Sequence, residues 1–132
     1  MLKKVPLFAA CSDKQLAFIV TQVEEVDLDA GRELCREGES GREFFIVVSG
    51  TADVVRQGRQ IDELKPGQFF GEIALIDHGP RTATVRSKTA MRCLVLSAGQ
   101  FQNVLQQDAS IAVAVLRAAG ERLRGALGMK AI

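Results

Sequence analysis

Gly67-Gln68-Phe69-Phe70-Gly71-Glu72-Ile73-Ala74-Leu75-Ile76-Asp77-His78-Gly79-Pro80-Arg81-Thr82-Ala83-Thr84-Val85 reads as the wall of a pocket for a phosphate carried on a sugar. Gly67 and Gly71 bracket two aromatic residues and permit tight turns with close backbone approach. Glu72 to Ile76 has the composition of one short helical turn, ended by His78-Gly79-Pro80. A helix start offers unpaired N–H groups and the positive end of a dipole, which suit an anion. Arg81 follows, and a guanidinium can fork two N–H donors onto two phosphate oxygens.

Glu72 narrows the ligand class. A carboxylate beside a bound phosphate repels it, so Glu72 is expected to accept from a neutral group, and a ribose hydroxyl fits. One acid, one arginine and a few amides match a cyclic nucleotide better than a triphosphate. A triphosphate calls for a lysine and Mg²⁺-binding groups, and the chain has no GxxxxGK[ST] motif.

Phe70-Gly71-Glu72-Ile73-Ala74-Leu75 and Pro80-Arg81-Thr82-Ala83-Thr84-Val85 resemble the phosphate-binding cassette of cyclic-nucleotide-binding domains. That family includes catabolite activator protein, kinase regulatory subunits and cyclic-nucleotide-gated channels. The resemblance implies cAMP or cGMP as ligand and no further cofactor, with Phe70, Gly71, Glu72, Ile73, Ala74, Pro80, Arg81, Thr82 and Ala83 at the site. It places Arg81 on the exocyclic phosphate oxygens and Glu72 on the ribose 2′-hydroxyl. The amides of Gly71, Ile73 and Ala74 face the ligand. Thr82 permits either base, and cAMP is the expectation because no guanine-specific set is visible. The same resemblance lines the ribose and base side with Val54 and Ile61, which are otherwise core residues like Leu64. It also lets one of Arg117, Arg122 and Arg124 cap the base from the final helix. Plainer readings stay open: Thr82 as a strand-entry residue, and the three helix arginines as a solvated face.

Outward from this stretch, 132 residues with a net charge of +1 describe one domain with no basic run for nucleic acid. No apolar run is long enough to span a bilayer, and Asp13 and Lys14 interrupt any signal-peptide core. Trp and Tyr are absent, which removes the usual stacking platforms for single-stranded nucleic acid. Cys11, Cys35 and Cys93 are odd in number and widely spaced, which favours buried free thiols in a reduced, cytoplasmic protein. His78 is the only histidine, so no histidine cluster can hold a metal. No nucleophile–base pair stands out, and an enzyme is not expected.

The elements follow from local signals. Val5-Pro6-Leu7-Phe8 is an apolar lead-in, with a turn of helix expected over Lys3–Phe8. Ser12 and Gln15 form a capping box ahead of Leu16, Ile19, Val20 and Val23 at helical spacing. From Glu24 the period changes to short strands punctuated by glycine turns: around Val26 and Leu28, then Glu33–Arg36, Phe44–Val48, Thr51–Arg56, Ile61–Leu64, Thr84–Ser87 and Met91–Leu96. Gln57–Gln60 reads as a tight connection. This pattern is that of a closed or sandwich-like all-β unit. The positions of Gly31, Gly38, Gly41 and Gly50 resemble the turns of the family's antiparallel double-stranded β-helix, a jelly-roll-like β-roll. The whole is expected to be mainly β with flanking helices: a single domain over residues 1–132, with an N-terminal helical part (1–23), a roll (24–97) carrying the cassette (67–85), and C-terminal helices (98–132).

Ser97 and Gln100 form a second capping box, and Phe101, Val104 and Leu105 give that helix an apolar face. Asp108 is placed to cap a last helix from about Ala109 to about Leu127. Ile111, Val115 and Ala118 make one apolar stripe on it; Ala112, Leu116, Ala119, Leu123 and Ala126 make another. Two stripes imply two packing partners, here the roll and a twin helix in a homodimer. The alternative is a helix lying only on its own domain, and Gly120, Gly125 and Gly128 weaken it. In transcription-factor members of the family this helix leads into a helix-turn-helix; no DNA-binding domain is expected in this chain, and the downstream effector is unknown. The expected role is therefore a cyclic-nucleotide sensor that relays through its last helix. A repurposed β-roll with a silent pocket is the alternative, ahead of a cupin-like enzyme.

Overall fold

The computed structural model describes residues 2 and 5–127. Lys3, Lys4 and Gly128 lie outside the described residues, as does the side chain of Ala126. A 3₁₀ turn over Pro6–Phe8 leads to α1 (Asp13–Val20). The strands β1 (Glu24–Leu28), β2 (Glu33–Cys35), β3 (Glu43–Ser49), β4 (Ala52–Arg56), β5 (Arg59–Leu64) and β6 (Phe69–Phe70) follow. Then come α2 (Glu72–Asp77), β7 (Thr84–Ser87), β8 (Met91–Ser97), α3 (Ala98–Gln107) and α4 (Ala109–Leu127). All strand pairs are antiparallel, in two four-stranded sheets ordered β1-β8-β3-β6 and β2-β7-β4-β5. This is the expected β-roll with flanking helices.

The continuous apolar run of β3 explains how roll and helices are joined. Phe44, Phe45, Ile46 and Val47 are all buried, because successive strand residues point to opposite faces and both faces are covered. Phe44 and Ile46 join Phe8, Ile19, Leu94, Leu96, Phe101, Val104, Ile111 and Val115 in a core between sheet and helices. Phe45 and Val47 join Ala52, Leu64, Phe70, Val85, Cys93 and Val95 inside the roll. The partner strand β8 alternates in the same way, with Ile46 opposite Leu94 and Phe45 opposite Val95. Burying each such side chain contributes about 1.5–3 kcal/mol, so one strand pair anchors two cores.

Phe69-Phe70 forms a strand that the turn-rich sequence around it hides. Phe70 stacks on Phe45 at 4.7 Å between ring centroids, while Phe69 faces Phe44 at 5.4 Å on the helical side. The β4–β5 connection is tighter than the sequence indicates. Only Gln57 and Gly58 turn, both at positive φ, the hairpin geometry that matches strand twist; Arg59 and Gln60 therefore join β5.

Both capping boxes form as expected, at Ser12/Gln15 and Ser97/Gln100. Val20 departs from expectation: it is 58 % exposed at the end of α1, and Val23 packs against the helical core from beyond that helix. On α4, Ile111 and Val115 are buried and Ala118 is half-buried, so the first stripe meets the core. The outward stripe is not the expected one. Ala112 and Ala119 are half-buried, and the exposed apolar line runs Val113, Leu116, Gly120, Leu123. The packing of Ile111 and Val115 sets the helix rotation, which a stripe count cannot.

Asp108 caps α4: its Oδ1 accepts from the Ser110 N–H at 3.0 Å, the Ser110 hydroxyl at 2.6 Å and the Ile111 N–H at 3.4 Å. Its Oδ2 accepts from the Cys11 thiol at 3.2 Å. All three cysteines are free. Burial pushes the Cys93 thiol up to about 11, and burial together with Asp108 does the same for Cys11.

Candidate functional site

Arg81 is the cation of the cassette, and it is only 6 % exposed. It leaves the short segment between α2 and β7, which backbone bonds tie to the loop before β3. The Arg81 N–H donates to the Glu39 carbonyl at 2.8 Å, the Gly38 N–H donates to the Arg81 carbonyl at 2.9 Å, and Ser40 bridges Pro80. The guanidinium donates through Nη1 to the Gly71 carbonyl at 3.1 Å and through Nη2 to the Glu43 carbonyl at 2.7 Å. A guanidinium carries more donors than those two carbonyls take up.

Glu72 opens α2, directly after Gly71, whose φ of 96° sets the left-handed entry to the helix. Its side chain is 1 % exposed, and a buried carboxylate needs a partner. Arg122 of α4 supplies it, with Nη1 donating to Glu72 Oε1 at 2.5 Å. The same guanidinium donates through Nη2 to the Phe69 carbonyl and lies over the Phe69 ring, 5.1 Å from its centroid. The last helix is thereby pinned across the start of α2.

Between these groups lies a cavity of about 800 Å³, within the range that encloses small-molecule ligands. Its inner wall is Phe70, Gly71, Glu72, Ile73, Ala74, Arg81, Thr82 and Ala83. Val54, Ile61, Asp62 and Leu64 face them from β4 and β5, and Glu121, Arg122 and Leu123 close in from α4. Among the described residues no group of His, Cys, Asp and Glu could hold a metal ion, and no helix is long and apolar enough to cross a membrane.

Residues 25–108 match the family described as "Cyclic nucleotide-binding domain". The chain belongs to this family. The cyclic nucleotide-binding domain is 36 % identical over 125 residues to a cyclic nucleotide-gated potassium channel of Rhizobium etli, covering 95 % of this chain and 35 % of the channel. It is 34 % identical over 105 residues to a cAMP-dependent protein kinase regulatory subunit of Eremothecium gossypii, covering 79 % of this chain and 23 % of that protein. The chain thus spans about a third or less of these curated relatives. Among solved structures, the N-terminal domain of a transcriptional regulator from Streptomyces coelicolor superposes with a TM-score of 0.72 at 36 % identity, covering 96 % of this chain and 92 % of that one.

The domain's cavity brings together Val54, Ile61, Phe70, Gly71, Glu72, Ile73, Ala74, Arg81, Thr82 and Ala83. Pro80 is outside the lining, exposed and paired with Ser40; its place is in the strap that holds Arg81. Leu64 is both core and cavity wall. Thr82 is exposed at the rim, with its carbonyl accepting from Arg56 Nε at 2.9 Å. His78 is exposed at the left-handed end of α2, with φ of 58°. Of the three helix arginines, it is Arg122 that lines the cavity, along with Cys35, Arg56, Asp62 and Glu121, which sequence reading did not assign to the site. Cys35 occupies a strand position that reads as core. Burial raises its thiol pKa, and the Arg81 charge pulls the other way. Asp62 alternates with Ile61 on an edge strand, and nothing in the local pattern distinguishes it from a solvated acid.

Proposed function

We propose that this chain is a cyclic-nucleotide sensor: a regulatory module that binds a 3′,5′-cyclic nucleotide, cAMP in the first place, and relays occupancy through α4. The observation that carries the reading is the pairing of Arg81 and Glu72 on one cavity wall, both buried. The guanidinium is matched to an exocyclic phosphate, and the carboxylate to a hydroxyl on the same sugar. A carboxylate offers several acceptor positions, so Glu72 can take a ribose hydroxyl while Oε1 keeps Arg122. The amides of Gly71, Ile73 and Ala74, with Phe70 and Ala83, complete the phosphate side, Pro80 supports the strap, and Val54 and Ile61 face the sugar and base. Thr82 at the rim admits either purine. The cAMP preference draws support from the likeness to the cAMP-dependent kinase regulatory subunit.

In this reading residues 1–132 are one domain with helical, roll and C-terminal parts (1–23, 24–97, 98–132), acting in the cytoplasm through an unidentified effector without catalysing a reaction. The exposed line Val113, Leu116, Gly120, Leu123 steps by three, four and three residues, the spacing of a helix seam, and pairs with its copy in a homodimer. Calorimetric titration of nucleotide-stripped protein with cAMP, cGMP and AMP tests the core of this. Saturable binding of a cyclic nucleotide with AMP rejected is expected. Arg81→Ala is expected to weaken it at least tenfold, since a charge-assisted bond contributes about 1.5–3 kcal/mol and tenfold is about 1.4 kcal/mol. Folded wild-type protein that binds neither cyclic nucleotide overturns the reading in favour of a silent pocket.

A further inference from the structure

Gly41 sits in the loop before β3, where the sequence offers it as one more turn glycine. Its backbone does not require glycine. It is not among the described residues at positive φ, which are Gln57, His78 and Gly31, Gly38, Gly50, Gly58, Gly67 and Gly71. What requires glycine is the side chain of Arg81. A Cβ at position 41 would lie 2.1 Å from Arg81 Nε, 2.4 Å from Cζ and 2.7 Å from Cδ. Nearer the tip of the side chain, a Cβ at Gly71 would lie 2.6 Å from Arg81 Nη1. The Arg81 side chain therefore packs directly against two glycine backbones, with the Glu43 and Gly71 carbonyls accepting from its guanidinium.

The close approach of Gly41 to Arg81 cannot relax freely. The Arg81–Glu39, Gly38–Arg81 and Ser40–Pro80 backbone pairings tie the loop to the segment carrying Arg81. A methyl group at position 41 must then displace the guanidinium. The clashing atoms are the far part of a long flexible side chain, so the loss falls on two hydrogen bonds and on where the charge points, and not on the backbone.

We infer that Gly41 is a positioning residue: its missing side chain seats the Arg81 guanidinium at the phosphate end of the cavity. The consequence for affinity rests on the cyclic-nucleotide reading above; the seat itself does not. The test is Gly41→Ala in the full chain, compared with wild type, Arg81→Lys, Arg81→Ala and the Gly41→Ala/Arg81→Ala double variant. In ligand-free wild type, side-chain ¹⁵N NMR is expected to show resolved, slowly exchanging Arg81 Nη–H signals, identified by their loss in Arg81→Lys. Gly41→Ala is expected to lose them while unfolding cooperatively. It is expected to bind cAMP at least tenfold more weakly than wild type and, with Arg81→Ala already present, to cause no further loss. Retained Arg81 signals and affinity in Gly41→Ala overturn the inference, as do additive losses in the double variant. If wild type binds no cyclic nucleotide, the functional reading fails and the NMR comparison alone decides the seat. If Gly41→Ala does not fold, the double variant decides: recovered folding supports a clash with the guanidinium, and continued failure overturns it.

Discussion

Arg122 reaches from the second half of α4 to the first residue of α2 and donates to Glu72 at 2.5 Å, while its side chain stays 35 % exposed and that of Glu72 only 1 %. The asymmetry sets the energetics. Losing Arg122 strands a buried carboxylate, whereas losing Glu72 leaves a cation that water can still reach. Arg122→Ala is expected to destabilise the protein by about 1.5 kcal/mol, the low end for a charge-assisted hydrogen bond because the arginine is partly solvated. Hydrogen exchange is expected to speed up in the second half of α4 and at Phe69–Glu72. Unchanged exchange in both segments contradicts the pin.

Glu72 is also the residue proposed to read the sugar. 2′-Deoxy-cAMP is expected to bind at least tenfold more weakly than cAMP, about 1.4 kcal/mol, and Glu72→Ala is expected to remove the discrimination between the two. Equal affinities for cAMP and its 2′-deoxy analogue in wild-type protein exclude that role.

Asp108 joins the N-terminal segment to the start of α4 through Cys11, Ser110 and Ile111. Burial pushes its carboxyl up, but the bonds from Ser110, Cys11 and Ile111 outweigh it and leave the group below its ordinary value of 3.8. A depressed folded value means stability that is present above the unfolded value and lost as pH falls through the folded one. The urea midpoint of Asp108→Asn, which keeps a capping side chain without the charge, is expected to lie below wild type at neutral pH. The gap is expected to close on acidification below about pH 4. A gap independent of pH rules out the ionised contribution.

Val113, Leu116 and Leu123 are 52 %, 61 % and 55 % exposed. If they form the proposed homodimer seam, Leu116→Glu and Leu123→Glu are expected to give monomers in sedimentation while leaving the unfolding transition cooperative. A wild-type protein that sediments as a monomer at the same concentration eliminates the seam.

The fold was legible where its causes are local. Ser12 with Gln15 and Ser97 with Gln100 mark helix starts because capping satisfies N–H groups within four residues. The apolar run at Phe44–Val48 marks a strand, and the structure adds that both of its faces are covered. The cassette was legible, through its resemblance to the family's, because Gly71, Glu72 and Arg81 lie in one short stretch of chain. Phe69-Phe70 was hidden as a strand because two residues carry no period; their pairing with Phe45 and Ile46 defines them.

The sequence by itself determined a strand-rich unit, its flanking helices and the stretch proposed to bind phosphate, which follow from backbone preferences and near-neighbour patterns, while the resemblance to the family made that unit a roll. Only the tertiary structure decided that Arg122, and neither Arg117 nor Arg124, meets Glu72, because a helix's rotation is set by what its buried side packs against. It also decided that Gly41 is a space for Arg81 and not a turn. Excluded volume between residues forty positions apart leaves no mark on either residue's local sequence.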